Sequence, residues 1–399
     1  MNVSVGVIRR RPSIEAELFG TFTDANGKQY APGNYRFTSE VWLTPSDLAS
    51  ASFALNDVTI GIGFHWERNE RQVFRGALRI IKGADGLTGI NDVSIEDYVM
   101  SVISSEMSAS CPLDLLKAHA VIARSWLKAS PLPPGDKRDT DGLKWYNRSS
   151  HSDFEVCADD HCQRYQGITK AFSPAASQAV SDTRGEFLTY KGEICDTRFY
   201  KCCGGMTDEF STAWQDIDVP YLRPIFDGPP PANSYTPESL VRSNVPAYCN
   251  TRDPKLLSQI LTGFDHETLD FFRWRVDYTP AEVRDLIQAR LNRDPGDIGD
   301  LKPLSRGPSG RIYRLEIVGS KGSFIIGKEL EIRRALSRSH LYSSAFVVDR
   351  ENGKFVLRGA GWGHGVGLCQ IGAAVMANQG KSYLEILTHY YPGTRTETR

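Results

Sequence analysis

Apolar and polar positions alternate from the first residues of the chain, with Val3, Val5 and Val7 on one side of an extended segment. Similar short runs follow at S-I-E-A-E-L-F-G-T-F, Y-R-F-T-S-E-V-W-L-T, D-V-T-I-G-I-G-F and G-A-L-R-I-I, separated by Gly, Asn and Asp turns, and predict a β-rich part over residues 1–90. At Ser94 the period changes. Ile95, Tyr98, Val99, Val102 and Ile103 fall on one helical face, Ser94 is placed to cap it with Asp97 at N3, and Val93 and Tyr98 are spaced as a hydrophobic staple. A second helix begins near Ser110 with Pro112 in its first turn, Asp114 at the favourable end of the dipole, and Leu116, Ala120, Ala123 and Leu127 as its stripe.

Further on, 171–182 has a helical pattern. Thr279-Pro280-Ala281-Glu282 supplies cap, N1 proline and N3 glutamate for a helix running to about Asn292. Hairpins are expected to turn at Lys321-Gly322 and Asn352-Gly353, and Ser382 with Glu385 boxes a last helix that Pro392-Gly393 ends. Pro/Gly/Asp-rich breaks at P-L-P-P-G-D-K-R-D-T-D-G and D-G-P-P-P-A-N-S-Y-T-P-E suggest four parts. These are the β-rich 1–90, a core over 91–226, an inserted, partly helical 227–305, and 306–399 completing the core. The fold class expected is α+β, with mixed helices and antiparallel sheets.

Composition narrows the partners. A net charge of −1 gives nothing to steer the chain to nucleic acid or an anionic membrane surface, and no run of 18 apolar residues exists to span a bilayer. Eight cysteines in 399 residues form no regular disulfide framework, leaving one or two bridges open.

Three stretches carry candidate chemistry. Glu106 stands at the break between the two predicted helices, flanked by Met107, Ser108 and Ala109; partial desolvation there would raise its pKa toward the range of a general acid. Its competing reading is a solvated loop carboxylate. H-S-D-F-E-V-C-A-D-D-H-C brings His151, Cys157, His161 and Cys162 within twelve residues, the ligand types of tetrahedral zinc; surface histidines beside free or paired cysteines are the alternative. His161 is the weakest ligand, since it adjoins Cys162 and neighbours in an extended strand point apart. Finally, G-W-G-H-G-V-G-L-C-Q-I-G-A, residues 361–373, surrounds His364 with five glycines on a turn entering a helix, with Gln370 at its start.

Together, S-S-E-M followed by P-L-D-L-L-K-A-H-A-V-I-A-R, the glycine-rich stretch, A-N-Q-G-K-S-Y-L-E-I-L-T-H-Y-Y-P-G-T, F-Y-K-C-C-G-G-M-T-D-E-F, P-Y-L and S-G-R-I-Y-R-L-E-I-V-G resemble the stage II sporulation protein D family, in order, from about residue 85 to the end. That family groups peptidoglycan lytic transglycosylases with amidase enhancers. The resemblance implies cleavage of the MurNAc–GlcNAc bond with a 1,6-anhydroMurNAc end. Glu106 would be the single acid/base and Arg124 a positioning cation. Tyr200, His364 and Gln370 would line a glycan groove, the His364 turn opposite Glu106, and a closed structural zinc would sit on His151, Cys157, His161 and Cys162. The motifs supply one carboxylate where a hydrolysing glycosidase uses two, which fits attack by the sugar's own C6 hydroxyl.

The chain departs from the family at Ser108, Cys111, His119, Cys369 and Ile371, which look like subsite changes. The runner-up is a non-catalytic glycan-binding module that enhances a cell-wall amidase. A zinc hydrolase is disfavoured, because two thiolates quench Lewis acidity and no H-E-x-x-H accompanies them. The expected partners are peptidoglycan strands in an extracytoplasmic compartment. The N-terminus lacks a signal-peptide layout, so the sequence is expected to be a mature or trimmed form whose export signal has been removed.

Overall fold

A computed structural model describes residues 1–63, 67–130, 136–138, 142–146, 151–170, 173–231, 233–261 and 268–399. These divide into two compact units, one of Met1–Arg124 with Ser150–Gly185, the other of Ser125–Ser149 with Glu186–Arg399. Both mix helices with antiparallel sheets, so the fold is α+β.

In the first unit the alternating runs become two sheets. The larger has the order Val156–Cys157, Asn2–Arg11, Gly86–Ser94, Ala77–Gly83, Val41–Pro45, Phe22–Asp24, Gln29–Tyr30. The smaller is Gly33–Phe37, Ile14–Phe19, Ser52–Ile60, Arg68–Phe74. Period-two burial appears where it was expected: Ile14, Ala16 and Leu18 are buried while Glu15 and Phe19 face out. Rings then link the layers. Phe22 packs on Phe53 at 6.3 Å, Phe53 on Phe74 at 5.5 Å, Phe74 on Tyr165 at 6.0 Å and Tyr165 on Tyr98 at 5.3 Å. Each buried ring contributes about 1.5–3 kcal/mol.

Tyr98 belongs to helix α1, Ile95–Glu106. Ser94 caps it, its Oγ accepting the Asp97 N–H at 3.1 Å, and the staple residues Val93 and Tyr98 are both buried. The helix stops where Met107 turns extended at φ −135°, which leaves Glu106 as its last residue. Helix α2, Leu113–Lys128, follows Pro112. Another helix, Pro174–Asp182, starts from the Ser173 cap; the expected first positions 171 and 172 lie outside the described residues.

The second unit is built on the strands Arg273–Tyr278, Lys354–Ala360 and Phe346–Glu351, and on Ile298–Arg306, Ile312–Gly319 and Gly322–Ile326. Its core joins Trp274, Ile287, Leu301, Leu315, Ile332 and Leu357. The helix Pro280–Leu291 has the expected capping box and ends on Asn292 in the left-handed region. Asn352 and Gly353, at φ 50° and 77°, make the expected hairpin turn. The other hairpin turns one residue earlier than the sequence suggests: Gly319 pairs with Gly322, so the turn residues are Ser320 and Lys321, and Gly322 begins the return strand at φ 124°. Ser382 and Glu385 box the helix Tyr383–Tyr390. Among the described residues no helix is long and apolar enough to cross a membrane.

Candidate functional site

Glu106 is half-buried, and its Oε1 accepts the backbone N–H of Arg164 at 2.8 Å. Arg164 lies on an extended strap, residues 163–166, that is fastened along the helix pair. Tyr98 of α1 donates its hydroxyl to Gln163 Oε1 at 3.0 Å, and Gln163 Nε2 donates to the Ala123 carbonyl of α2 at 3.4 Å. The Gln166 N–H donates to Ser101 Oγ at 3.1 Å, and the Tyr165 hydroxyl donates to Asn91 Oδ1 at 2.5 Å. The carboxylate is thereby oriented by a backbone donor whose own position is fixed on both sides.

Arg124 is fully buried, and its Nη2 donates to Glu96 Oε2 at 2.6 Å. Glu96 sits in the first turn of α1, favourable to its charge, and its Oε1 also accepts the Gly185 N–H at 3.3 Å. The pair ties the start of α1 to the C-terminal part of α2, the two helices whose junction presents Glu106. Sequence reasoning missed both Glu96 and the strap; the Q-R-Y-Q segment carried no pattern of its own.

The strap follows directly on the Cys/His cluster. Val156 and Cys157 add in parallel to the edge strand, Cys157 opposite Gly6, and a turn returns Cys162, whose N–H donates to the Asp159 carbonyl at 3.0 Å. Gly6 is required there, since a Cβ would lie 2.5 Å from the Phe154 ring. The four donor atoms of His151, Cys157, His161 and Cys162 lie within 4.8 Å of one another and could hold a metal ion. His151 Nε2 is 3.4 Å from Cys162 Sγ, and His161 Nδ1 is 3.4 Å from Cys162 Sγ and 3.8 Å from Cys157 Sγ. Bonds of about 2.0–2.3 Å to a tetrahedral centre give donor separations of about 3.3–3.8 Å, which these three separations match. Because 160 and 161 form a turn, His161 and Cys162 converge, and the alternation that weakened His161 as a ligand does not operate. The Cys157 thiol is held well below the usual range, chiefly by its hydrogen bond with Cys162. Arg9 Nη2 donates to His151 Nδ1 at 2.9 Å; a metal on Nε2 needs that exposed side chain to swing off, since Nδ1 would then carry the proton.

In the second unit the glycine-rich turn is stitched to residues 199–208. Phe199 and Tyr200 pair in parallel with Leu368 and Cys369, Cys202 bridges Trp362, and Asp208 bridges Val366. Gly361, Gly363, Gly365 and Gly367 all have positive φ, between 73° and 96°. A Cβ at Gly365 would meet the Arg311 guanidinium at 2.5 Å, and one at Gly367 the Arg198 carbonyl at 2.0 Å. The glycines are therefore accounted for by close approach of protein to protein.

His364 is half-buried between the rings of Tyr200, at 5.1 Å, and Trp214, at 4.9 Å. The Val366 N–H donates to Nδ1 at 3.1 Å, so Nε2 carries the proton and donates to the Phe199 carbonyl at 3.0 Å. Burial, then the charges of Arg198 and Arg311, hold its pKa well below the usual imidazole value, and it stays neutral. Tyr200 and Gln370 are 5% and 3% exposed.

Residues 83–190, which carry Glu106, the strap and the Cys/His cluster, match the family described as stage II sporulation protein. Residues 208–367 match a domain of unknown function (DUF8618). The likeness extends over most of the chain. It is 25% identical over 312 residues to the stage II sporulation protein D of Bacillus amyloliquefaciens, covering 76% of this chain and 74% of that one. It is 27% identical over 320 residues to an uncharacterised protein of Brachyspira hyodysenteriae, covering 80% and 71%. An amidase enhancer of Bacillus subtilis is 24% identical over 302 residues, 73% of this chain but 39% of that protein. The resemblance drawn from the motifs is thus shown.

Proposed function

We propose that the chain is a peptidoglycan lytic transglycosylase, an extracytoplasmic enzyme with Glu106 as its acid/base. The observation that carries this reading is the half-buried Glu106 carboxylate at a helix terminus, oriented by the Arg164 N–H, inside the segment matched to the sporulation-protein family. The names of the relatives support a role at the cell wall. In the reaction Glu106 gives its proton to the glycosidic oxygen as the bond from MurNAc C1 breaks. The C6 hydroxyl of the same sugar attacks C1, and its proton returns to the carboxylate, regenerating the acid. One group is protonated at the start and at the end, so a second carboxylate is not needed. Arg124 acts through Glu96 and the helix pair as a positioning residue.

The Cys/His cluster is proposed to hold a structural zinc. Four protein donors close the coordination sphere, and the ion's effect on Glu106 runs through the strap that leaves Cys162. The zinc itself takes no part in bond cleavage. Tyr200, His364 and Gln370 are proposed to shape a glycan-binding surface through the turn they hold, because two of them are buried and both nitrogens of the third are engaged within the protein.

The second reading, a glycan-binding module that stimulates a cell-wall amidase, is favoured by the relative named amidase enhancer. Mass spectrometry of products from purified peptidoglycan separates the two. Wild type should release 1,6-anhydroMurNAc ends. Glu106→Gln should lower their release by at least about a thousandfold while glycan binding and melting temperature stay within error. Wild type without anhydro products, yet stimulating an added amidase, would select the second reading.

A further inference from the structure

A second set of metal-ligand side chains lies in the second unit. The Sγ atoms of Cys203, Cys249 and Cys369 and a carboxylate oxygen of Asp227 lie within 4.8 Å of one another, and all four residues are buried. Their exposures are 1%, 1%, 0% and 0%. We propose that these four residues form a closed zinc-binding site, distinct from the one on His151, Cys157, His161 and Cys162.

Charge is the first argument. Asp227 is a wholly buried carboxylate, and among the described residues no Lys, Arg or His makes an ion pair with it. An ionised carboxylate buried without a cation would cost several kcal/mol, and a divalent ion bound to it would remove that cost. The donors also have the supporting bonds that metal ligands need. Asp227 Oδ2 accepts the Cys249 N–H at 2.9 Å, and its Oδ1 accepts the Tyr390 hydroxyl at 2.6 Å. Cys369 Sγ accepts the N–H groups of Cys203 at 3.2 Å and Gly372 at 3.4 Å, and Cys203 Sγ accepts the Gly205 N–H at 3.3 Å. Backbone N–H groups aimed at the sulfurs of Cys369 and Cys203 are donors of the kind that orient and tune metal-bound thiolates. The backbone is held as firmly: Asp227 donates its N–H to the Gly205 carbonyl at 3.0 Å and accepts the Tyr248 N–H at 2.6 Å through its own.

Donor chemistry identifies the ion. Three thiolates and one carboxylate select a soft or borderline divalent cation over calcium or magnesium, and four protein ligands in a dry pocket leave no open position, the pattern of structural zinc. The ion would join four segments: the turn after Phe199–Tyr200, the Asp227 turn, the loop at Cys249, and the cap of the helix Gln370–Asn378, where Cys369 is the N-cap. It would lock the glycine-rich turn from its far end, since Cys369 ends the strand that follows His364. The main competitor is a disulfide, because Cys203 and Cys249 Sγ are 3.2 Å apart.

The test uses the full chain, purified and reconstituted with zinc chloride. Zinc per chain is measured together with free thiols, alkylated in denaturant with chelator. Wild type should bind two zinc ions and yield eight free thiols. Cys157→Ser with Cys162→Ser should keep one ion, and zinc-edge absorption of that variant should show three sulfur and one oxygen neighbours. Asp227→Asn in the same background should raise the zinc dissociation constant by at least about tenfold. A Cys157/Cys162 variant that takes up no zinc, or a Cys203–Cys249 disulfide in the zinc-loaded chain, overturns the proposal. Failure of the Cys/His site alone appears differently, as a wild type with one ion that the Cys157/Cys162 substitutions leave in place.

Discussion

Arg124 and Glu96 show what a single pair does here. The guanidinium is inaccessible and the carboxylate side chain 14% exposed, so neither can fall back on water if the other is removed. Arg124→Met should therefore destabilise the first unit by about 3–5 kcal/mol, read as a shift in urea midpoint. Adding Glu96→Gln should recover part of that loss. A double variant as costly as the sum of the two singles would show that the pair is not coupled. Residue-level roles were unevenly legible. Glu106 could be singled out because a helix break and a family motif coincide on it, whereas its orienting donor is a backbone N–H 58 positions away that carries no side-chain signature. His364 was legible as a special position, but not that both its nitrogens are used inside the protein.

Local elements were read well because their causes are local. The caps at Ser94, Thr279 and Ser382 need only residues within one turn, and each appears with its expected hydrogen bonds. The Ser320-Lys321 turn was displaced by one because the strand register, set by Leu315 opposite Ile326, overrides the preference of Gly322 for a turn position. Glycines look alike in a sequence and differ in their surroundings. At Gly353 a Cβ meets nothing within 4 Å, so Gly353→Ala costs only the left-handed backbone, about 1–2 kcal/mol. At Gly367 the same φ penalty is joined by a 2.0 Å approach to the Arg198 carbonyl, so Gly367→Ala should cost at least about 3 kcal/mol. Calorimetry of the two variants checks the difference, and equal melting temperatures would contradict it.

Across the whole molecule, stability should respond to pH through buried acids. Asp208 is fully buried, and burial raises its pKa from 3.8 to about 6, against hydrogen bonds from Ser309 and Thr212 and the charge of Arg311. The folded state binds that proton more tightly than the unfolded chain. Its contribution is therefore complete below pH 3.8 and is lost as pH rises through about 6, on the order of 3 kcal/mol in all. Asp208→Asn should flatten the fall in urea midpoint between pH 4 and 7 relative to wild type; parallel profiles would show that Asp208 does not titrate there. At this scale the sequence was least informative. The eight cysteines formed no framework by spacing, because the partners of Cys203 come from three segments that only the tertiary fold brings together.

The stitch between residues 199–208 and the glycine-rich turn has a consequence in time as well as in space. Phe199 and His364 are 165 positions apart, and Cys203 and Cys369 are 166 apart. As the chain emerges from a ribosome or a translocation channel, the first partner must wait for the second, and the cost of closing so long a loop falls on the last step of folding. Throughout that interval Cys202 and Cys203 are open to solvent, oxidant and neighbouring chains, although the finished fold seals both. Yield on production is then set by a race between completing the C-terminal segment and thiol chemistry on an unfinished chain, and slowing the latter with reductant should help most before synthesis ends.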